Sequence, residues 1–181
     1  MSGFVVRRGA PWSRWRVAAI KPQVWAWCET PLGEATLVRE RGPRETPEDH
    51  ANGGETWTVS LRGGAATLSV ERLLPEPVHS LPRMGKGLEG TVDGEPFRLT
   101  GRPALRPARR TVTFEGPTID VRMTRRRLRN RLLEHGNEIG FRAADERWHL
   151  PDPTDHAVLA VCLFEWARLE DALGNPLLSN P

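Results

Sequence analysis

The sequence predicts a mostly β domain of antiparallel hairpins, forming a closed or nearly closed barrel around a buried hydrophobic C-terminal helix. Three observations carry this. Apolar residues alternate in short runs separated by turn residues, the period-two signature of half-buried strands. The 17 Gly and 16 Pro make 33 of 181 residues, so the chain turns too often for long bundle helices. The stretch Ala157–Phe164 is apolar on every face, which a helix tolerates only when it is enclosed on all sides. A sheet wrapped around that helix accounts for all three, and closure removes exposed strand edges.

The elements follow in order. Val24-Trp25-Ala26-Trp27-Cys28 alternates, Thr30-Pro31-Leu32-Gly33 turns, and 35–39 returns as a partner strand. Trp25 and Trp27 are expected on one strand face, lining the barrel wall or interior. Trp57, Val59 and Leu61 share a face, Gly63-Gly64 turns, and Ala66, Leu68 and Val70 come back. Leu88, Gly90 and Val92 lead into Asp93-Gly94, answered by Phe97 and Leu99. Asp-Gly between alternating runs is a strong hairpin cue, because both positions tolerate positive φ. Val112 and Phe114, then Ile119, Val121 and Met123, extend the pattern. Mobile loops are expected at 40–55 and 73–87, and neither reads as a linker between separate domains, so residues 1–181 are taken as one domain.

Residues Thr124–Gly136 admit two readings. A helix would be capped by Thr124, would end at Gly136 and would place Leu128 and Leu132 at i, i+4. A hairpin would turn at His135-Gly136-Asn137 and return through Ile139 and Phe141. Continuity with Ile119–Met123 favours the hairpin. The last element is a helix at about 153–173, with Asp152 as N-cap, Pro153 in the first position and Gly174-Asn175-Pro176 as the stop.

Strands throughout, a late hairpin at Arg127–Arg142, the Trp-His-Leu-Pro approach at 148–151 and the hydrophobic helix DPTDHAVLAVCLFEWARLEDAL together resemble the tubby C-terminal-like superfamily. That group takes in tubby, the LURP-one-related proteins and the phospholipid scramblases. The resemblance implies a barrel of about a dozen strands around a central helix, with non-enzymatic lipid-, membrane- or partner-binding roles. It rests on architecture, and no phosphoinositide-binding residue of that group is carried over.

Charge is informative only when divided along the chain. Of the 26 basic residues 24 are Arg, a bias that codon usage in a GC-rich genome would also produce. Residues 102–131 hold ten Arg against Glu115 and Asp120, a net of +8, whereas 132–181 hold three Arg against nine acids, a net of −6. Guanidinium groups suit phosphate and carboxylate because their planar fork binds two oxygens. Arg125, Arg127, Arg129 and Arg131 are therefore the candidate anion- or partner-binding residues. If 125–131 were one extended strand, these four would line one side and Arg126 would point inward. Arg109 and Arg110 are possible outer contacts on a neighbouring strand. The competing reading pairs these arginines with Glu134, Glu138, Asp145, Glu146 and the acidic end of the helix. Trp12 and Trp15, alternating with Arg14 and Arg16, are the candidate interface aromatics.

No catalytic constellation emerges. Met84-Gly85-Lys86-Gly87 lacks the spacing and the Ser/Thr of a phosphate loop. The five histidines never fall at metal-ligand spacing, and no Gly-x-Ser-x-Gly elbow occurs. Cys162, mid-run in the helix, reads as a small hydrophobe, while Cys28 could be exposed. No metal or cofactor is expected. Two cysteines are too few for a disulfide scaffold, Met1–Arg16 has no apolar signal region, and the longest apolar run is eight residues against the ~20 that span a bilayer. A cytoplasmic, non-catalytic binding or scaffold protein is expected, engaging a protein partner or an anionic surface. Membrane-lipid association is the first alternative. Nucleic acid is the weaker one, because the arginine block lacks interleaved aromatics for base stacking.

Overall fold

The computed structural model describes residues 3–6, 21–41, 54–73, 83–102, 104, 106, 109–126 and 129–174. Among these, the chain lays down antiparallel strands one after another: β1 (Gln23–Thr30), β2 (Gly33–Arg41), β3 (Glu55–Leu61), β4 (Ala66–Leu73), β5 (Leu88–Val92), β6 (Glu95–Arg102), β7 (Thr111–Glu115), β8 (Asp120–Arg126), β9 (Arg129–Glu134), β10 (Asn137–Arg142) and β11 (Trp148–His149). They form one eleven-stranded sheet whose strand order equals the chain order. Helix α1 (Asp155–Trp166) and the short α2 (Asp171–Gly174) follow. A single helical turn at 83–86 precedes β5. It falls inside the loop expected at 73–87, while residues 42–53 and 74–82 lie outside the described residues.

Turn chemistry sets the registers. Val92 pairs with Glu95 across Asp93-Gly94, and Glu134 pairs with Asn137 across His135-Gly136. Both turns hold positive φ at their two central residues, which matches the twist of the flanking strands. The hairpin reading of 129–142 is therefore the observed one. The inward residues are those the alternation marks: Trp57, Val59, Leu61, Ala66, Leu68, Val70, Leu99, Phe114, Val121 and Met123 are all buried.

The sheet curves until β2, β3, β4 and β8 all touch α1. Ala157–Phe164 are fully buried on every side of that helix, each large side chain stabilising by about 1.5–3 kcal/mol relative to exposure. Helix boundaries differ from the expected 153–173. Thr154, not Asp152, is the N-cap, its hydroxyl accepting from the Ala157 N–H. At the other end Arg168 takes a left-handed φ of 52°, which breaks the helix after Trp166 and leaves α2 as a separate turn.

Closure of the barrel is not observed. Among the described residues β1 has no ladder to β11, whose outer side instead meets the N-terminal segment through a bridge from Phe4 to Trp148. Phe4 N–H donates to the Trp148 carbonyl at 3.0 Å and receives the return bond at 2.8 Å. Phe4 and Val6 are buried there, so the N-terminal segment covers part of the edge that closure of the barrel would have paired.

A bulge corrects the reading of β1. Val24 pairs with Val38 and Ala26 with Leu37, so Trp25 is an extra residue and the alternation slips by one across it. Trp25 turns toward Arg39, Ala26 and Cys28 face the core, and Trp27 points outward at 53% exposure. The two tryptophans therefore do not share a face, and Cys28 is buried rather than exposed.

Candidate functional site

The arginine block forms the tip of a hairpin, not one strand. Arg126 pairs with Arg129, Arg125 with Asn130 and Thr124 with Arg131, so the chain reverses in mid-block. Cross-strand partners lie on the same face. Asn130 is buried beside Leu132 and Met123 on the core side, which puts Arg125 on that side too. Arg126, Arg129 and Arg131 share the outer face with Arg122 and Thr124. Inward and outward positions are thus exchanged for Arg125 and Arg126 relative to a single extended strand. Arg127 lies outside the described residues, as do Trp12 and Trp15.

The outer face continues across the sheet in register. Arg102 on β6 pairs with Thr111 on β7, Thr111 with Thr124 on β8, and Thr124 with Arg131 on β9. Arg131 pairs with Phe141 on β10, and Phe141 with His149 on β11. Five strand steps of ~4.8 Å make this row roughly 24 Å long. Beside it Arg122 stands opposite the hydroxyl of Thr113. Arg102, Arg122, Arg126 and Arg129 are exposed. Arg131 forms an ion pair with Glu138, one of the pairings the sequence offered. No ion pair to Arg102, Arg122, Arg126 or Arg129 occurs among the described residues. The acids of this face cluster at the opposite strand ends, where Glu115 pairs with Asp120 across β7 and β8.

An aromatic group adjoins the arginines. Phe141 and His149 stack with ring centroids 5.1 Å apart, and the Arg129 guanidinium lies 5.2 Å from the Phe141 centroid. Arg129, Phe141 and His149 thus form a rank of planar groups standing off the outer face. Neither Phe141 nor His149 is near the arginine block in sequence. Their alternation with the buried Arg142 partner Trp148 was the only signal that could have placed them outside.

The remaining expected contacts have structural partners. Arg109 sits in a turn before β7 rather than on a strand, its N–H bonded to the Arg106 carbonyl. Arg110 is buried, and its guanidinium donates to the carbonyls of Ala104 at 2.7 Å, Leu173 at 3.2 Å and Gly174 at 2.9 Å. It donates to the carbonyl end of α2, whose last carbonyls have no partner within the helix itself. Arg142 is 11% exposed and faces Glu165, Glu170 and Glu146 at 3.2, 2.5 and 3.3 Å. Glu165, buried in α1, also accepts from the Trp148 indole N–H at 2.9 Å. This cluster fastens the helix to β10 and β11.

Hairpin turns fasten the other end of α1. Arg62 binds Asp155 with both terminal nitrogens, at 3.0 and 2.5 Å, and reaches the Leu32 carbonyl at 3.3 Å. His156 meets Asp93 at 3.1 Å and the Thr118 carbonyl at 3.0 Å, and Thr154 donates to Glu134 at 2.5 Å. The hydrogen bond from Arg62, outweighing the opposing effect of burial, holds the Asp155 carboxyl below its ordinary value. The Cys162 thiol is pushed well up by burial first and by its contact with Cys28 second, so the two buried thiols behave as core groups. Among the described residues no three His, Cys, Asp or Glu side chains gather to hold a metal ion. Among the described residues no helix is long and apolar enough to cross a membrane. No family model, curated protein or solved structure matches this chain.

Proposed function

We propose that the protein is a non-catalytic binding protein that engages an anionic counterpart through the outer face of β6–β9. The observation that carries this reading is the set Arg102, Arg122, Arg126, Arg129 and Arg131, brought onto one face from three strands around a floor of threonines. Four of the five extend into solvent without an ion pair among the described residues, so their charge is available to a partner. A concentrated positive face raises the local concentration of anions and speeds association, and both effects weaken with salt. Arg110, Arg125 and Arg142 are read instead as parts of the core. Binding of the full chain to inorganic polyphosphate, followed against ionic strength, tests the reading. Charge reversal at Arg122, Arg126 and Arg129 together abolishes binding if the face is the site, and unchanged binding refutes it.

Membrane-lipid association is the second reading, favoured by the eleven-stranded meander curled around a fully buried helix. That arrangement supports the resemblance to the tubby C-terminal-like superfamily and, with it, a nearly closed barrel as the working description of the domain. Salt-dependent flotation with vesicles containing phosphatidylserine tests it.

A further inference from the structure

Resting on the basic face just described, we propose that its occupant is single-stranded nucleic acid, with the arginines holding phosphates and the Arg129–Phe141–His149 rank stacking an unpaired base. Phosphate alone would explain the arginines and threonines. It would not explain an aromatic rank set in the same cross-strand row, directly beside Arg131. Phe141 is half-buried and takes no part in the hydrophobic core, so core packing does not account for it. Proteins that bind single strands combine these two parts, a positive track for the backbone and planar side chains for the bases. Unpaired bases also stack on arginine planes.

The rank has one open end. At His149 the chain passes close by, since a Cβ placed on Gly3 would lie 2.9 Å from the imidazole Cε1. At Arg129 the side chain is exposed. A base therefore joins by stacking on the Arg129 guanidinium or by taking its place on Phe141. From there the sugar–phosphate chain runs along the row toward Thr124, Thr111 and Arg102, with Arg122 and Arg126 on either flank. Hydroxyls and guanidinium groups both donate to phosphate oxygens. A duplex buries its base faces in its own stack, so the rank selects unpaired strands. A lipid headgroup layer offers phosphate but nothing to stack.

The test uses the full chain and a fluorescein-labelled oligouridylate of about 20 nucleotides, longer than the ~4–16 nucleotides that one OB fold covers on a single strand. Anisotropy is expected to give salt-dependent binding, tighter than to inorganic polyphosphate or to a duplex of equal charge. Phe141→Leu keeps an apolar side chain and removes the π face, and should weaken binding by between about 5-fold and about 150-fold. Phe141→Trp should restore it. Neither change should alter polyphosphate binding. Arg122→Gln with Arg126→Gln should lower the slope of log K against log salt by about 1.4, two single-strand phosphate contacts. Equal affinity for oligouridylate and polyphosphate, with Phe141→Leu neutral, overturns the nucleic-acid inference and leaves the anionic reading standing. Binding to phosphatidylserine vesicles without oligonucleotide binding overturns it in favour of lipid. Failure to bind any polyanion overturns both. The polyphosphate and duplex competitions use the unaltered protein, so the outcome does not depend on a variant's folding.

Discussion

Arg39 lies in the core between two tryptophans, and its removal is the sharpest test of how the β1–β3 end is held. Arg39 and Glu55 are each 1% exposed, with Nη2 2.7 Å from the carboxylate. The guanidinium carbon sits 4.0 Å from the Trp25 ring centroid and 4.7 Å from that of Trp57, and the Trp57 indole N–H donates to the same Glu55 oxygen at 3.0 Å. Burial lowers the Arg39 pKa below its ordinary value even though Glu55 opposes the shift, so desolvation outweighs the ion pair. Such a pair contributes little relative to an apolar substitute, yet breaking it strands a buried charge. Arg39→Met should therefore destabilise the protein by about 3–5 kcal/mol. Arg39→Met combined with Glu55→Gln should recover most of that loss, because the amide still accepts from Trp57 and no charge is left uncompensated. Urea unfolding followed by tryptophan fluorescence measures both variants, with unchanged m-values required for the comparison. A cost below ~1 kcal/mol for the single variant, or a double variant no more stable than the single, would refute the reasoning.

Other consequences are equally direct. Leu159→Ala, at a fully buried position of α1, should cost about 2–5 kcal/mol in the same unfolding assay, and Leu159→Asp should yield no soluble protein. Asp155 has a lowered carboxyl pKa, so its contribution to stability is present above about pH 4 and is lost as the pH falls through the lowered value. Asp155→Asn should consequently flatten the acid limb of stability against pH, measured by urea unfolding at each pH, with the unaltered protein more stable than the variant at neutral and alkaline pH and that advantage lost in acid. Gly140→Ala would put its Cβ onto Leu150 Cδ2 and 2.5 Å from the His149 carbonyl oxygen, and should lower the thermal midpoint through roughly 1–3 kcal/mol of overpacking.

Local chemistry made much of this protein legible from its sequence. Asp93-Gly94 and His135-Gly136 specify their hairpins because those residues accept positive φ, and period-two alternation then decides which side chains of β3 to β6 face inward. The all-apolar run Ala157–Phe164 implied an enclosed helix without any knowledge of what encloses it. What the sequence could not decide was every property that depends on counting residues past an irregularity or on strands far apart in the chain. One extra residue at Trp25 turned Trp27 outward, and a reversal between Arg126 and Arg129 divided the arginine block between two antiparallel strands. A strand's side chains change sides with each residue, so a local slip of one is invisible to composition and reverses every face beyond it. The helix end was settled by a left-handed Arg168, and the edge of β11 by Phe4, more than 140 residues away. The outer row from Arg102 to His149 exists only because five successive ladders hold their registers, a relation that tertiary structure alone creates.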